Sequence, residues 1–292
     1  MSASYLRQAT LHRGCALSWF TEGSGPPVVL VQGVGVGGAG WRPQVEALAA
    51  HFQCLCFDNR GFGASQSPEG ELTVELMAED VLALMDAQGW RSAHVMGHSL
   101  GGLVALYAAR KARERVRSLA LLCTFATGAI PTRLAPGLLW VGMRTRLGTA
   151  RMRRHAFLEL VLPPEALARA DRDALAQQLA ELFGHDLADP PPVVMRQFQA
   201  MRRGDATGFL RELKGIPTLV VNAAHDHIAP PSGGRALAAG ISGARYVEIP
   251  DGSHGVPIQL ADRINVLLLE HLREAEAHWG TAAPAGTGTG SA

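Results

Sequence analysis

The chain has 292 residues, of which 47% are hydrophobic and 18% charged, and its formal net charge is +1. These proportions are typical of a globular protein with a large buried core, and the length fits a single α/β unit. A net charge so close to zero provides no strong field for nucleic acid or an acidic membrane surface, so we expect neither as a partner.

The cysteines and the first residues predict a soluble cytoplasmic protein. Cys54 and Cys56 lie two apart in the apolar segment FQCLCF, a spacing that predicts buried reduced thiols on one face of a strand. The opening residues, MSASYLRQATLHRG, lack the continuous apolar stretch of a signal peptide. No apolar run approaches the ~20 residues that a membrane span requires. The sequence leaves the oligomeric state open.

Residues 1–126 alternate strand patterns with helix patterns. The predicted strands are PPVVLVQG, FQCLCFD, AHVMGHS and VRSLALLCTF. The predicted helices are WRPQVEALAAHF, residues 74–85 and LGGLVALYAARKA. Strands that alternate with helices in this way predict an α/β fold with a mostly parallel sheet and helices on both faces.

Residues 127–209 interrupt the alternation. This stretch is rich in Arg, Leu and Ala, carries prolines between helix-length segments, and predicts an all-helical insertion. The sheet pattern returns in residues 210–276, with the predicted strands IPTLVVNA and ARYVEIP and the helices GGRALAAGI and INVLLLEHLREA. Residues 277–292 end in small polar residues and glycine, a composition that predicts a flexible tail.

The strongest chemical signal is the segment GHSLG at residues 97–101, with Ser99 at its centre. It fits the G-x-S-x-G pattern, and it stands between a predicted strand and a predicted helix. That context is the strand–turn–helix of a nucleophile elbow, in which glycines allow the close packing around an exposed serine hydroxyl. We therefore predict Ser99 as a nucleophile.

A serine nucleophile needs a base, and the base needs an orienting acid. Asp226 follows the predicted strand IPTLVVNA, and His254 follows the next strand, ARYVEIP. Both positions lie at the carboxyl ends of strands, where open α/β sheets carry functional groups. Asp251 is a competing acid because it lies three residues before His254. We favour Asp226, since a residue on the neighbouring strand end can approach the imidazole Nδ1 from outside.

These motifs resemble the α/β-hydrolase superfamily over roughly residues 20–275. The resemblance rests on GHSLGG around Ser99, HDHIAP around Asp226 and DGSHG around His254. It implies a Ser-Asp-His triad, no metal and no other cofactor, and it makes residues 127–209 a helical cap over the site. The segment DNRGFGAS matches a turn of the family, in which Asp58 and Arg60 are expected to form a buried ion pair.

The oxyanion hole implied by the resemblance consists of the backbone N–H groups of Val34 and Leu100. Members of the family usually carry His-Gly before the first of these donors, whereas this chain has Gln32-Gly33. Because the donors are backbone groups, the side chain at position 32 is permissive, although Gln32 could also extend its amide into the pocket.

The cap supplies the predicted pocket lining. Among its apolar residues, Trp140 and Met143 are predicted to contact substrate together with Gly33 of the core. The further candidates in the cap are Met152, Phe157, Met195, Phe198 and Met201. Several arginines in the cap, such as Arg144 and Arg146, are predicted to form a solvated face, and a carboxylate-binding arginine remains an alternative. His98, His225 and His227 offer a metal-site alternative that the family does not need.

The predicted function is hydrolysis of carboxylic esters or lactones of small to medium acyl groups through an acyl-enzyme. The small-molecule substrate itself is not identified by the sequence. Cofactor-free haloperoxidases or perhydrolases and C–C bond hydrolases share the same triad and stay as alternatives. A non-catalytic ligand-binding protein on this fold is a rival, against which the complete set of triad residues argues.

Overall fold

The computed structural model describes residues 5–67, 69–129 and 136–282, and within them an eight-stranded, mostly parallel sheet carries helices on both faces. The strands are β1 (Gln8–His12), β2 (Cys15–Glu22), β3 (Pro27–Val31), β4 (Gln53–Phe57), β5 (Ala93–His98), β6 (Val116–Leu122), β7 (Thr218–Ala223) and β8 (Arg245–Ile249). The helices of the sheet region are α1 (Arg42–Leu48), α2 (Val74–Ala87), α3 (Leu100–Lys111), α9 (Pro231–Gly240), α10 (Val256–Gln259) and α11 (Ala261–Ala282). This architecture confirms the predicted fold class.

The strand order is β1-β2-β4-β3-β5-β6-β7-β8, and the pairs from β4 onward are parallel. The first two strands form an antiparallel hairpin at the edge, which the sequence analysis did not predict. Its turn consists of Arg13 and Gly14, whose φ angles of 44° and 71° are both positive. Two residues with positive φ give the turn twist that a tight hairpin needs.

Alternating side chains of the strands divide the core between the two faces of the sheet. On β3, Val29 and Val31 pack with α2 and α3, whereas Val28 and Leu30 pack on the opposite face with α1 and α11. The period of two in a strand produces this division, so one apolar segment supports both layers. The sheet is thereby fixed from both sides, and its carboxyl edge is held in place.

The insertion between β6 and β7 forms helices throughout, as described from residue 136 onward. They are α4 (Pro136–Arg144), α5 (Ala150–Val161), α6 (Pro164–Arg169), α7 (Arg172–Phe183) and α8 (Val193–Arg203). The two ends of the insertion meet in an isolated antiparallel bridge between Thr127 and Asp205. The Ala206 N–H also donates to the Ala126 carbonyl at 2.7 Å, which closes this neck. We refer to residues 127–209 as the cap.

The carboxyl end differs from the prediction of a tail that begins at residue 277. Helix α11 continues to Ala282, and the Arg117 guanidinium lies 5.8 Å from the ring centre of Trp279. The rest of the predicted tail, residues 283–292, lies outside the described residues.

Within the part of the chain that the structure describes, no helix combines the length and the apolar character needed to cross a bilayer.

Candidate active site

Ser99 stands at the turn between β5 and α3 in a strained backbone conformation, with φ 53° and ψ −119°. Such a conformation is rare for a residue with a side chain and persists only where its surroundings impose it. The Ser99 N–H donates to the Leu122 carbonyl at 3.0 Å, and the Ser99 carbonyl accepts from the Thr124 hydroxyl at 2.6 Å. These two bonds from the end of β6 hold the elbow, a role that the sequence analysis missed for Thr124.

The glycines on either side of the elbow are required because there is no room for a Cβ atom at either position. A Cβ atom on Gly97 would lie 2.2 Å from the Gly101 carbonyl oxygen, and one on Gly101 would lie 2.0 Å from the Val31 carbonyl oxygen. Both distances are far below van der Waals contact, so any side chain would push the strand and the helix apart. The pattern around Ser99 is therefore a steric necessity of a sharp strand-to-helix turn.

His254 and Asp226 meet at the ends of β8 and β7. The His254 Nδ1 atom lies 2.8 Å from Asp226 Oδ2, and both side chains are buried. The other oxygen of Asp226, Oδ1, accepts from the backbone N–H groups of Ile228 and Ala229, each at 2.8 Å. A carboxylate held in this way accepts the Nδ1 proton, which leaves the Nε2 lone pair of His254 free to act as a base.

The neighbouring polar residues of the two turns point elsewhere. Asp251, the competing acid, accepts from Arg263 Nη1 at 2.9 Å and is exposed. His225 and His227 are exposed on either side of the buried Asp226. The tight turn thus buries the Asp226 carboxylate and exposes both imidazoles. These side chains therefore do not converge as the metal-site alternative requires.

The His98 side chain contacts the backbone of His254. The His98 Nε2–H donates to the His254 carbonyl at 3.0 Å, and the two rings lie 4.8 Å apart between centres. Burial and the nearby His254 lower the pKa of His98 to about 3, so this imidazole is neutral near pH 7. The hydrogen bond from His98 therefore holds the backbone of His254 in position.

Cys123 lies beside the acid at the end of β6. Its φ of 44° is strained, and burial together with the adjacent Asp226 carboxylate raises the pKa of its thiol well above the usual value. Ligand atoms of His98, Cys123 and His254 lie within 4.8 Å of one another. The surroundings of Cys123 thus favour its protonated thiol over the thiolate.

Of the two expected oxyanion donors, Val34 lines the same cavity as Ser99, and Leu100 follows Ser99 directly in the chain. Leu100 is the first residue of α3, where the N–H has no acceptor within the helix, and Val34 lies on the loop after β3. The Gln32 Oε1 atom accepts from the Gly33 N–H at 3.3 Å. A Cβ on Gly40 would come within 2.9 Å of Gln32 Nε2, so the glutamine occupies space that a side chain at position 40 would fill.

The structure corrects the expected ion pair in the DNRGFGAS turn. Asp58 pairs with Arg7 at 2.6 Å and also accepts from the Gly38 N–H at 2.8 Å. Arg60 pairs instead with Asp80, with Nε–Oδ2 and Nη2–Oδ1 distances of 2.5 Å. Both residues are buried and structural, but each has a partner remote in sequence, which local spacing could not reveal.

A cavity of about 960 Å³ separates the sheet edge from the cap. Its floor includes Gly33, Val34, Ser99 and His254, and most of its remaining lining is apolar. Gly33 lies against the nucleophile, since a Cβ there would be 3.1 Å from Ser99 Cβ. A large, mostly apolar cavity with a few polar groups at one end is typical of a small-molecule site.

Trp140 and Met143 do not line this cavity, in contrast to the prediction. They are 58% and 45% exposed on the outer side of α4. Gly142 of α4 lines the cavity instead, together with Thr145 and Arg146, which follow the last residue of that helix. Of the other candidates, Met152 is also exposed, whereas the lining includes Phe157, Met195, Phe198 and Met201.

The cap also contacts the loop that carries Val34. The Gly35 N–H donates to Gln197 Oε1 at 2.8 Å, and the Gly35 carbonyl lies 2.9 Å from His185 Nε2, whose Nδ1 lies 2.7 Å from the Asp186 carbonyl. Neither cap residue was among the sequence-based candidates, because a glutamine and a histidine in an Arg- and Leu-rich insertion carry no motif.

Comparisons with known proteins agree on the family. The sequence matches the family described as the alpha/beta hydrolase fold over residues 26–259. A protein of Azorhizobium caulinodans, named with provisional status as the carbamate hydrolase RutD, is 31% identical over 263 residues, which cover 88% of this chain and 96% of that protein.

Two solved structures are similar along nearly their whole length. The enol-lactonase of Burkholderia xenovorans LB400 has a TM-score of 0.76 and 28% identity, covering 91% of this chain and 100% of that one. A thermophilic esterase of Thermogutta terrifontis has a TM-score of 0.75 and 28% identity, covering 94% of this chain and 99% of that one.

Proposed function

The chain belongs to the α/β-hydrolase family, and from that premise we propose that it is a serine hydrolase of carboxylic esters or lactones. The observation that carries the proposal is the bond from His254 Nδ1 to Asp226 Oδ2, in a cavity that also exposes Ser99. This arrangement supports a base with a free Nε2 beside a serine held in a strained turn. The esterase and the enol-lactonase among its structural neighbours support the substrate class.

The first half of the reaction forms an acyl-enzyme. Ser99 Oγ attacks the carbonyl carbon while His254 Nε2 accepts the hydroxyl proton, and Asp226 stabilises the imidazolium. The carbonyl oxygen becomes an oxyanion that accepts hydrogen bonds from the Val34 and Leu100 N–H groups. The carbon–oxygen bond of the ester then breaks, and the imidazolium gives its proton to the departing alkoxide.

The second half uses water as the nucleophile. His254 removes a proton from the water, which attacks the acyl carbon, and the bond to Ser99 breaks as the serine regains a proton. An ester yields an alcohol and an acid, whereas a lactone yields a single hydroxy acid because its leaving group remains tethered.

The cavity favours acyl groups of small to medium size. It is lined on the cap side by Phe157, Leu160, Leu179 and Phe183, which bury apolar carbon close to the nucleophile. A volume of about 960 Å³ lies at the upper end of ordinary small-molecule pockets. A bounded cavity of this kind suits a single substrate molecule better than an emulsified long-chain lipid.

The charges at the cavity suit a substrate with an acidic group. Arg146 and Arg202, both exposed, belong to the lining, and the described lining residues include neither Asp nor Glu. Three cap guanidiniums away from the cavity do pair with carboxylates, those of Arg144, Arg151 and Arg154, at 2.6, 2.7 and 2.5 Å. Unneutralised guanidiniums beside a pocket attract carboxylates, so we include acidic esters and lactones in the proposed class.

The proposal is tested with a fluorophosphonate probe and a panel of p-nitrophenyl esters and lactones. The wild-type protein is expected to be labelled and to hydrolyse short acyl esters. Ser99→Ala removes the nucleophile, so we expect no labelling and a kcat lower by about 10⁶-fold, the size of loss known for a comparable triad.

Ser92→Ala is the matched control, because Ser92 bonds to Arg117 far from the cavity and is expected to keep both labelling and turnover. Wild-type protein that is neither labelled nor active on any ester or lactone would contradict the proposal. So would a Ser99→Ala variant that retains kcat within tenfold of wild type.

A further inference from the structure

We propose that Gln197 and His185 of the cap are positioning residues that hold the oxyanion loop in its working conformation. The inference rests on the proposed function, since it concerns the N–H of Val34 as an oxyanion donor. It extends that function by assigning the cap a role in catalysis besides the enclosure of substrate.

The side-chain contacts are made with the two residues next to Val34 in the sequence. Gly35, next to Val34, is held at both of its backbone polar groups, with N–H to Gln197 Oε1 at 2.8 Å and carbonyl to His185 Nε2 at 2.9 Å. On the other side of Val34, the Gly33 N–H is held by Gln32 Oε1 at 3.3 Å. The peptide group after Val34 is thus anchored by Gln197, and the N–H of the residue before it, Gly33, is held by Gln32.

The loop needs external support because it consists of residues that confer little rigidity. Residues 32–40 read QGVGVGGAG, and Gly35 has a φ of 71°, a conformation available mainly to glycine. Glycine-rich backbone samples many conformations unless other groups fix it. A further cap contact, from the Gly37 N–H to the Phe183 carbonyl at 3.2 Å, continues the support along the loop.

Gln197 has a feature that core packing alone does not explain. Its side chain is fully buried, yet its Nε2 group has no hydrogen-bond partner among the described residues. An apolar residue would avoid that loss, since a buried amide nitrogen without a partner is unfavourable. The single bond that Gln197 does make, to Gly35, is therefore the contribution that distinguishes it from a methionine or leucine.

Preorganised donors stabilise a transition state because they need no rearrangement as charge develops. Loss of the Gln197 or His185 bond frees the peptide groups around Val34 and weakens its bond to the oxyanion. The cost falls on the transition state, where the oxyanion is fully developed, and much less on the ground-state complex. The expected signature is a lower kcat with an unchanged KM.

The test uses Gln197→Met, which removes the acceptor and keeps the side-chain volume. We expect kcat for p-nitrophenyl butyrate to fall by about tenfold with KM unchanged, a fraction of the ~10²–10³ lost with a whole oxyanion donor. Affinity for a boronic acid, which forms a tetrahedral adduct with the serine, is expected to fall by the same factor. Affinity for butyrate, a planar product, is expected to stay the same.

Two further variants separate positioning from general damage. Arg203 lies on α8 at the surface, and the control variant Arg203→Met is expected to leave kcat, KM and both affinities unchanged. His185→Leu removes the second bond and is expected to resemble Gln197→Met, whereas His185→Gln retains an N–H donor and is expected to recover most of kcat. If Gln197→Met fails to fold by circular dichroism, the His185 pair decides the question.

The inference is overturned if wild type hydrolyses the ester and both Gln197→Met and His185→Leu keep wild-type kcat and boronate affinity. It is also overturned if KM and butyrate affinity change in parallel with kcat, which would indicate a distorted pocket. Failure of wild type itself to hydrolyse esters or react with the fluorophosphonate is a different result, which overturns the proposed function and this inference with it.

Discussion

The two walls of the cavity are built by different means. On the sheet side, Ser99, Asp226 and His254 are buried at the ends of strands, and hydrogen bonds fix their backbone or side-chain groups. On the cap side, Met195 and Phe198 line the same cavity although they are 43% and 40% exposed. One wall holds atoms in fixed positions, and the other offers apolar surface and two guanidiniums.

This difference suggests that the two walls have different tasks, with the sheet wall responsible for catalysis and the cap wall for the choice of substrate. In the proposed mechanism a group that transfers a proton must be held within hydrogen-bond distance of its partner, and the strand ends place His254 Nδ1 2.8 Å from Asp226 Oδ2. An apolar wall tolerates changes of shape, because methionine and leucine side chains adapt at low cost. Substitutions in the sheet wall are therefore expected to change kcat, and those in the cap wall to change the choice of substrate, with Gln197 and His185 as the proposed exceptions.

The largest effect is expected from the acid of the sheet wall. Asp226→Asn keeps the shape of the side chain but removes its charge and the acceptor that orients His254. We expect kcat to fall by ~10⁴-fold, as in a comparable triad. Measurement of kcat with p-nitrophenyl butyrate, together with circular dichroism to establish folding, checks this expectation.

Asp251→Asn is the matched control from the neighbouring turn. It breaks the exposed pair with Arg263, and exposed pairs contribute little, so kcat is expected to change by less than about threefold. If Asp251→Asn lost activity while Asp226→Asn kept it, the acid would be Asp251 and not Asp226. The contrast between the two walls would then be lost.

The sheet wall was also the part that the sequence could predict. The elbow around Ser99 and the turns around Asp226 and His254 follow strands whose apolar pattern is strong, so their order along the chain indicates their place at one edge. The cap contacts had no such signal, because Gln197 and His185 reach Gly35 across 162 and 150 residues of the chain.

The predictions that proved wrong also concerned regions outside the sheet wall. The first hairpin was missed because β1 is short and mostly exposed, and because its Arg13-Gly14 turn is a weaker signal than Asn-Gly. Trp140 and Met143 were expected to line the pocket because of their chemistry, yet the rotation of α4 relative to the cavity decides which face is used. That rotation depends on packing between elements distant in sequence, which local patterns do not contain.

A smaller effect is expected from the guanidiniums of the cap wall. The double variant Arg146→Gln/Arg202→Gln removes both positive charges from the lining. We expect kcat/KM for a p-nitrophenyl hemisuccinate to fall by about tenfold, while that for the neutral butyrate ester stays within twofold. Because both groups are exposed, the effect on the acidic ester is expected to fade at 1 M salt, where the Debye length is ~3 Å.

Arg151→Gln serves as the control, since Arg151 pairs with Asp173 and does not line the cavity. An equal loss for the acidic and neutral esters would mean that the arginines support the cap rather than attract charge. An unchanged preference for the acidic ester would remove acidic compounds from the proposed substrate class.

The smallest effect is expected at the carboxyl end, remote from both walls. Deletion of residues 277–292 removes the last turns of α11 and the contact between Trp279 and Arg117, whereas deletion of 283–292 leaves both in place. A cation–π contact of this kind contributes about 0.5–1 kcal/mol. For a chain of this size the loss corresponds to a Tm lower by about 1–4 °C.

Neither deletion touches the cavity, so kcat is expected to match wild type in both, and thermal unfolding followed by circular dichroism checks the difference in Tm. Arg117→Leu in the full-length chain offers an independent check, although it also removes the bonds to Glu276 and Ser92 and is therefore expected to lower Tm further than the deletion does. Equal melting temperatures for the two deletions would place the end of the folded core at residue 276, as the composition alone suggested. A loss of kcat on deletion of 277–292 would instead connect α11 with the sheet wall of the cavity through the core that it shares with β6.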